Sequence, residues 1–146
     1  MRGIYLGPKY DTTIIQIFSS IDKINNFLEI EDNLFIEKSD NFYQNQSIYI
    51  MQYPRSQKVS VSYGILNNIT DHDIFNLCCT EVGSSGSQIL SILNKKVIGI
   101  HKEGFSNCNF TVNKGTFLKF PIEEYINSIK KILILLTLIL KLLIII

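Results

Sequence analysis

"CCTEVGSSGSQILSILNKKVIGIHKEG", residues 78–104, sets a serine between two glycines directly ahead of two apolar runs. Gly83 and Gly86 let the backbone turn tightly, which would present Ser85 while aiming nearby amides at one point. A serine hydroxyl is a weak nucleophile; it needs a base to take its proton and donors to receive the oxyanion formed on its substrate. Taken alone, Gly83–Ser87 is more often a plain loop than a nucleophile. The residues that follow are more decisive for architecture. Runs 88–93 and 96–101 flank Asn94 and Lys95 and predict a β-hairpin.

Outward from this hairpin, the pattern stays that of strands. "DTTIIQIF", residues 11–18, is rich in β-branched residues and predicts a buried strand. "SIYIMQYP", residues 47–54, alternates until Pro54, and "KVSVSYGIL", residues 58–66, sets Val59, Val61 and Tyr63 against Lys58, Ser60 and Ser62. "GTFLKF" predicts a further strand ending at Pro121, and "PIEEYINSIKK" a helix that begins with proline at its first position, followed by two acids. Residues 22–46 are polar and acidic with scattered Leu and Phe, and read as a connector with short local structure. The expected fold is mostly β, an antiparallel domain closed by one terminal helix, with no internal repeat.

Composition narrows the class. The 146 residues, 46% hydrophobic and 18% charged, suffice for one compact domain, and the net charge of +1 with interspersed signs gives no basic stripe for nucleic acid. The three cysteines, Cys78, Cys79 and Cys108, lack zinc-site spacing and read as buried small apolar residues; a disulfide from Cys108 to one of the adjacent pair is the alternative. "MRGIYLGPKYDTT" lacks the apolar run of a secretory signal.

The far end is apolar: residues 132–146, "ILILLTLILKLLIII", follow Lys130 and Lys131. As a helix, 15 residues would span about 22 Å, short of the hydrocarbon core at about 30 Å. A short transmembrane tail anchor with snorkelling lysines is one expectation. A greasy helix packed on the domain, or AT-rich sequence read past its end, are the others.

Residues 80–104 together with "NKGTFLKFPIEEYI" resemble the second β-barrel of the chymotrypsin/trypsin-like serine peptidases, most closely the glutamyl endopeptidase group. The order matches: a Gly-x-Ser-Gly-Ser core, a hairpin, a "VIGIH" strand, then a closing strand before a terminal helix. The resemblance covers roughly residues 10–127 and is strongest over 78–126. It implies a partial peptidase domain over residues 1–127, with a first-barrel remnant at about 1–30 and the second barrel at about 45–127. Residues 128–146 form the apolar tail.

Carried over to this sequence, the resemblance implies Ser85 as nucleophile and the amides of Gly83 and Ser85 as oxyanion hole. Asp11, opening "DTTIIQI", matches the carboxylate that orients the catalytic imidazole. Thr80 and His101 match the pair lining the primary specificity pocket, where a hydroxyl and an imidazole suit glutamate or glutamine. Gln88 stands where the family has proline. No metal or organic cofactor is implied, and the partner is a peptide or protein substrate.

The base is what the sequence does not supply. The family takes its histidine from the first barrel, well before the aspartate, whereas only ten residues precede Asp11 here. His72 reads as a surface turn residue and His101 belongs to the pocket. The expectation is a serine endopeptidase-like protein, poorly active or inactive as it stands. The alternative is a non-catalytic peptide-binding or membrane-tethered module. A plain β domain with an incidental loop would leave Ser85, Thr80 and His101 apart rather than on one concave site.

Overall fold

A computed structural model describes residues 3–24, 26–107 and 110–144; of these, the side chains of 19, 20, 105–107, 110, 111 and 135–144 are outside the description. The strands are β1 (Ile4–Gly7), β2 (Thr12–Ile15), β3 (Ser47–Gln52), β4 (Ser60–Thr70), β5 (Asp73–Asn76), β6 (Gln88–Ser91), β7 (Val97–Asn107) and β8 (Phe110–Phe117). The helices are α1 (Ser19–Asp22), α2 (Ser39–Tyr43) and α3 (Lys119–Ile144), with short 3-10 turns between. Strands β3 to β8 close into an antiparallel barrel in the order β3-β4-β5-β8-β7-β6, and β1 and β2 form a separate hairpin.

Alternation builds the barrel wall. On β3 the inward residues are Ile48, Ile50 and Gln52, and they join Leu66, Ile74, Ile89, Ile98 and Phe117 in a fully buried interior. The connector takes part as well: Leu34 and Tyr43 are both buried in that core, and Ile30 bridges to Val97. Leu34 and Tyr43 are placed by contacts with the barrel rather than by a helix or strand period, while Phe27, Phe35, Ile36 and Phe42 stay exposed.

On β4 the inward face is the polar one. Val61, Tyr63 and Ile65 face solvent, while Ser60, Ser62 and Gly64 face inward. Residues 77–79 cross that inner face closely: Cys78 N lies 2.7 Å from where a Cβ on Gly64 would sit. The Cys79 amide donates to Ser62 Oγ at 2.7 Å. Only small side chains leave room for that crossing, so tight packing overrides the apolar alternation.

The strand expected to be buried over residues 11–18 is instead the short second half of a hairpin, with Ile4 opposite Ile15 and Gly7 opposite Thr12, and Ile15 and Ile17 lie exposed. Thr116 Oγ1 on β8 donates to the Tyr10 carbonyl at 2.6 Å, and the Tyr5 and Tyr10 hydroxyls donate to the Glu124 carboxylate at 2.6 and 2.8 Å. The hairpin is thereby held to α3, while Ile4 and Leu6 stay exposed.

Helix α3 starts at Lys119 and continues without a break through the expected tail to Ile144. Pro121 falls in the first turn, where its missing N–H leaves no helical bond unmade. Among the described residues no helix is long and apolar enough to cross a membrane, so the transmembrane expectation has no support there. Side chains of residues 135–146, most of that stretch, lie outside the description.

The cysteines divide. Cys78 is buried, with its thiol pushed up to about 12 by burial, whereas Cys79 is exposed. Neighbours along an extended segment point to opposite sides, so the expectation of burial holds for Cys78 and not for Cys79. Both are free thiols, and Cys108 lies outside the described residues.

Candidate active site

The glycine-flanked serine loop connects the segment crossing β4 to β6. Gly83 has φ +91° and Gly86 φ +86°, conformations that side-chain-bearing residues rarely adopt. Between them the chain makes a tight turn: Ser84 N donates to the Glu81 carbonyl at 3.1 Å, and Ser87 N to the Ser84 carbonyl at 3.1 Å. This turn buries Ser84 and exposes Ser85.

Strand β7 fixes the loop from one side. Gly86 N donates to the His101 carbonyl at 2.8 Å, and His101 N donates to the Ser87 carbonyl at 2.8 Å. The β3–β4 turn fixes it from the other: Arg55 N donates to the Val82 carbonyl at 2.9 Å, and Arg55 Nε pairs with Glu81 at 2.9 Å. The amides of Gly83 and Ser85 have no acceptor among the described residues. They are free to receive one from outside, as an oxyanion hole requires.

Ser85 opens onto a pocket of about 490 Å³ lined by Thr80, His101, Gly83 and Gly104, with Arg55, Glu81 and Glu103 among its charged residues. Ser85, Thr80 and His101 therefore share one concave site. Asp11 does not line it. It sits exposed at φ 52°, closing the 3-10 turn between β1 and β2, with its amide donating to the Pro8 carbonyl. His72 lies in the β4–β5 turn, half-buried with its ring edge-on to Tyr10 at 5.1 Å.

The Ser85 hydroxyl donates to the Lys102 carbonyl at 2.6 Å, and neither histidine of the chain hydrogen-bonds it. His101 is buried at 3% exposure; burial holds its pKa below the ordinary 6.5, and Nδ1 has no partner among the described residues. The pocket imidazole is thus neutral at pH 7.

The structure adds three residues that sequence reading missed. Asn113 on β8 is fully buried and lines the pocket, accepting from the Thr80 hydroxyl at 2.5 Å. Gly104 forms a wall, since a Cβ there would lie 3.0 Å from Asn113 Oδ1. Arg55 clamps the loop as described. Asn113 carried a faint signal, an asparagine two and four positions before the inward Gly115 and Phe117; nothing in "YPRSQ" pointed to Arg55.

The fold is matched by a solved structure of a Glu endopeptidase in complex with MPD, at 22% identity and a TM-score of 0.61. The match covers 88% of this chain and 62% of that one, so the chain spans less than two thirds of its neighbour. No protein-family model and no curated protein matches this sequence.

Proposed function

We propose that this chain, whose six-stranded barrel, side hairpin and terminal helix match the barrel of a chymotrypsin-like fold, is a serine endopeptidase-like protein that hydrolyses peptide bonds through an acyl-enzyme on Ser85, following glutamate or glutamine. The observation that carries this reading is the convergence of Ser85, Thr80 and His101 on one pocket beside two unengaged amides.

In the acylation step Ser85 Oγ bonds to the scissile carbonyl carbon while its proton passes to a base, and the Gly83 and Ser85 amides hold the oxyanion. The amine then leaves with a proton, and water cleaves the ester. A base has to come from a histidine outside these residues, oriented by Asp11. A peptide carbonyl, the present partner of the Ser85 hydroxyl, is far too weak a base for the task. Alone, the chain is a poor catalyst, since triad members act as a unit.

That same hydrogen bond favours a second reading, a peptide-binding module that keeps the pocket without the chemistry. An activated acyl ester discriminates the two once the chain is joined to a histidine-bearing first barrel that supplies the base. The proposal expects an acyl mass on Ser85 that disappears in Ser85→Ala; an unmodified Ser85 after exhaustive incubation would favour the binding module.

A further inference from the structure

The pocket floor is set by hydrogen bonds whose directions leave little freedom. Asn113 Nδ2 donates to the carbonyl of Cys78. A carbonyl only accepts, so the amide nitrogen has to face Cys78, and Oδ1 has to face the other way. There it accepts from Thr80 Oγ1 at 2.5 Å. Asn76 braces the arrangement, accepting from Cys78 N at 3.1 Å through Oδ1. The proton of Thr80 is therefore used within the protein, and the threonine oxygen turns lone pairs, not a donor, toward a ligand.

The charges around the pocket are mostly paired with one another. Arg55 pairs with Glu81 at 2.9 Å, and Lys102 and Lys114 pair with Asp73 at 2.8 and 2.9 Å. Glu103, a further carboxylate on the lining, has Lys114 only at 3.9 Å. His101, neutral in its buried setting, offers one donor and one acceptor.

We infer that this pocket, on the serine-peptidase reading above, selects the neutral carboxamide of glutamine over the carboxylate of glutamate before the scissile bond. A carboxamide presents N–H to the Thr80 oxygen and C=O to the imidazole N–H. A carboxylate is acceptor-only: it meets the Thr80 lone pairs and enters a pocket where Glu103 adds a like charge and the lining cation, Arg55, is shared with Glu81. Thr80 can turn its proton toward a carboxylate only by leaving Asn113 Oδ1 buried and unpaired.

Binding needs no catalytic base, so the test uses the 146-residue chain itself. Acetylated, amidated peptides differing only in Gln, Glu or Ala at one position are titrated at pH 7 by calorimetry. The Gln peptide is expected to bind at least about tenfold tighter than the Glu peptide. Thr80→Ser is expected to keep that preference and Thr80→Val to lose it. Glu binding as tightly as Gln, or a preference surviving in Thr80→Val, overturns the inference while leaving a peptide pocket in place. Equal affinity for Gln, Glu and Ala overturns the pocket reading itself and this inference with it.

Discussion

Ser85 Oγ lies 2.6 Å from the carbonyl oxygen of Lys102, its hydrogen-bond acceptor on β7. The proposed nucleophile is therefore positioned by main chain, and its hydroxyl has no proton acceptor of useful strength among the described residues. Because Ser85 is exposed, its hydroxyl does little for the fold. Ser85→Ala should change unfolding free energy by about 1 kcal/mol or less while removing the reactive oxygen. Denaturant unfolding checks this; a loss of several kcal/mol would mean that the hydroxyl is structural.

Asn113 should behave in the opposite way. It is fully buried and joins the Cys78 carbonyl to the Thr80 hydroxyl. Asn113→Ala leaves the buried Cys78 carbonyl unpaired and the part-buried Thr80 hydroxyl to water, and should cost about 1–3 kcal/mol in urea unfolding. A cost near zero would show that the network adds nothing to the pocket floor.

Gly104 separates pocket volume from fold. A Cβ there would meet Asn113 Oδ1 at 3.0 Å and Thr80 Oγ1 at 3.7 Å, within the space a substrate side chain would enter. Gly104→Val should abolish discrimination among peptides by the residue in the pocket while the chain still unfolds cooperatively. Unchanged discrimination would place the side-chain site elsewhere.

Asp73 gives a pH dependence. Burial pushes its carboxyl up, but the ammonium groups of Lys102 and Lys114 outweigh burial and hold it below the ordinary 3.8. A folded-state pKa below the unfolded one contributes stability that is complete above about pH 3.8 and is lost as pH falls through the folded value. Asp73→Asn should lose about 1–2 kcal/mol at pH 7 and flatten the acid limb of the stability profile below pH about 4. An acid limb identical in both proteins would contradict this.

How much of this could be read beforehand depended on whether short-range pattern or long-range packing decided each position. The hairpin of β6 and β7 was legible because both runs and their turn are contiguous. The glycines around Ser85 were legible because only tight turns favour them at that density. Strand β5, four residues of "DIFN", is too short to show a period, and β1 depends on pairing with β2. The inward face of β4 was misleading: a segment more than ten residues downstream demands small residues there. Helix α3 ran on from the expected terminal helix because an apolar tail of good helix formers offers no stop signal. Asn113 and Gly104 stand at the ends of the two resembling stretches with no role attached to them; the barrel brings them to Thr80 and Ser85 from other strands.

The proposal that Ser85 acts as a nucleophile once a histidine base is supplied is checked by fluorophosphonate labelling mapped by mass spectrometry. The chain is compared alone and with the histidine-bearing first barrel of a glutamyl endopeptidase fused ahead of it. Alone it should label barely above background, and the fusion should label at Ser85 faster by a factor of about 10⁴ or more. Rapid labelling of the unaided chain, or a fusion that leaves Ser85 unlabelled, would contradict the account.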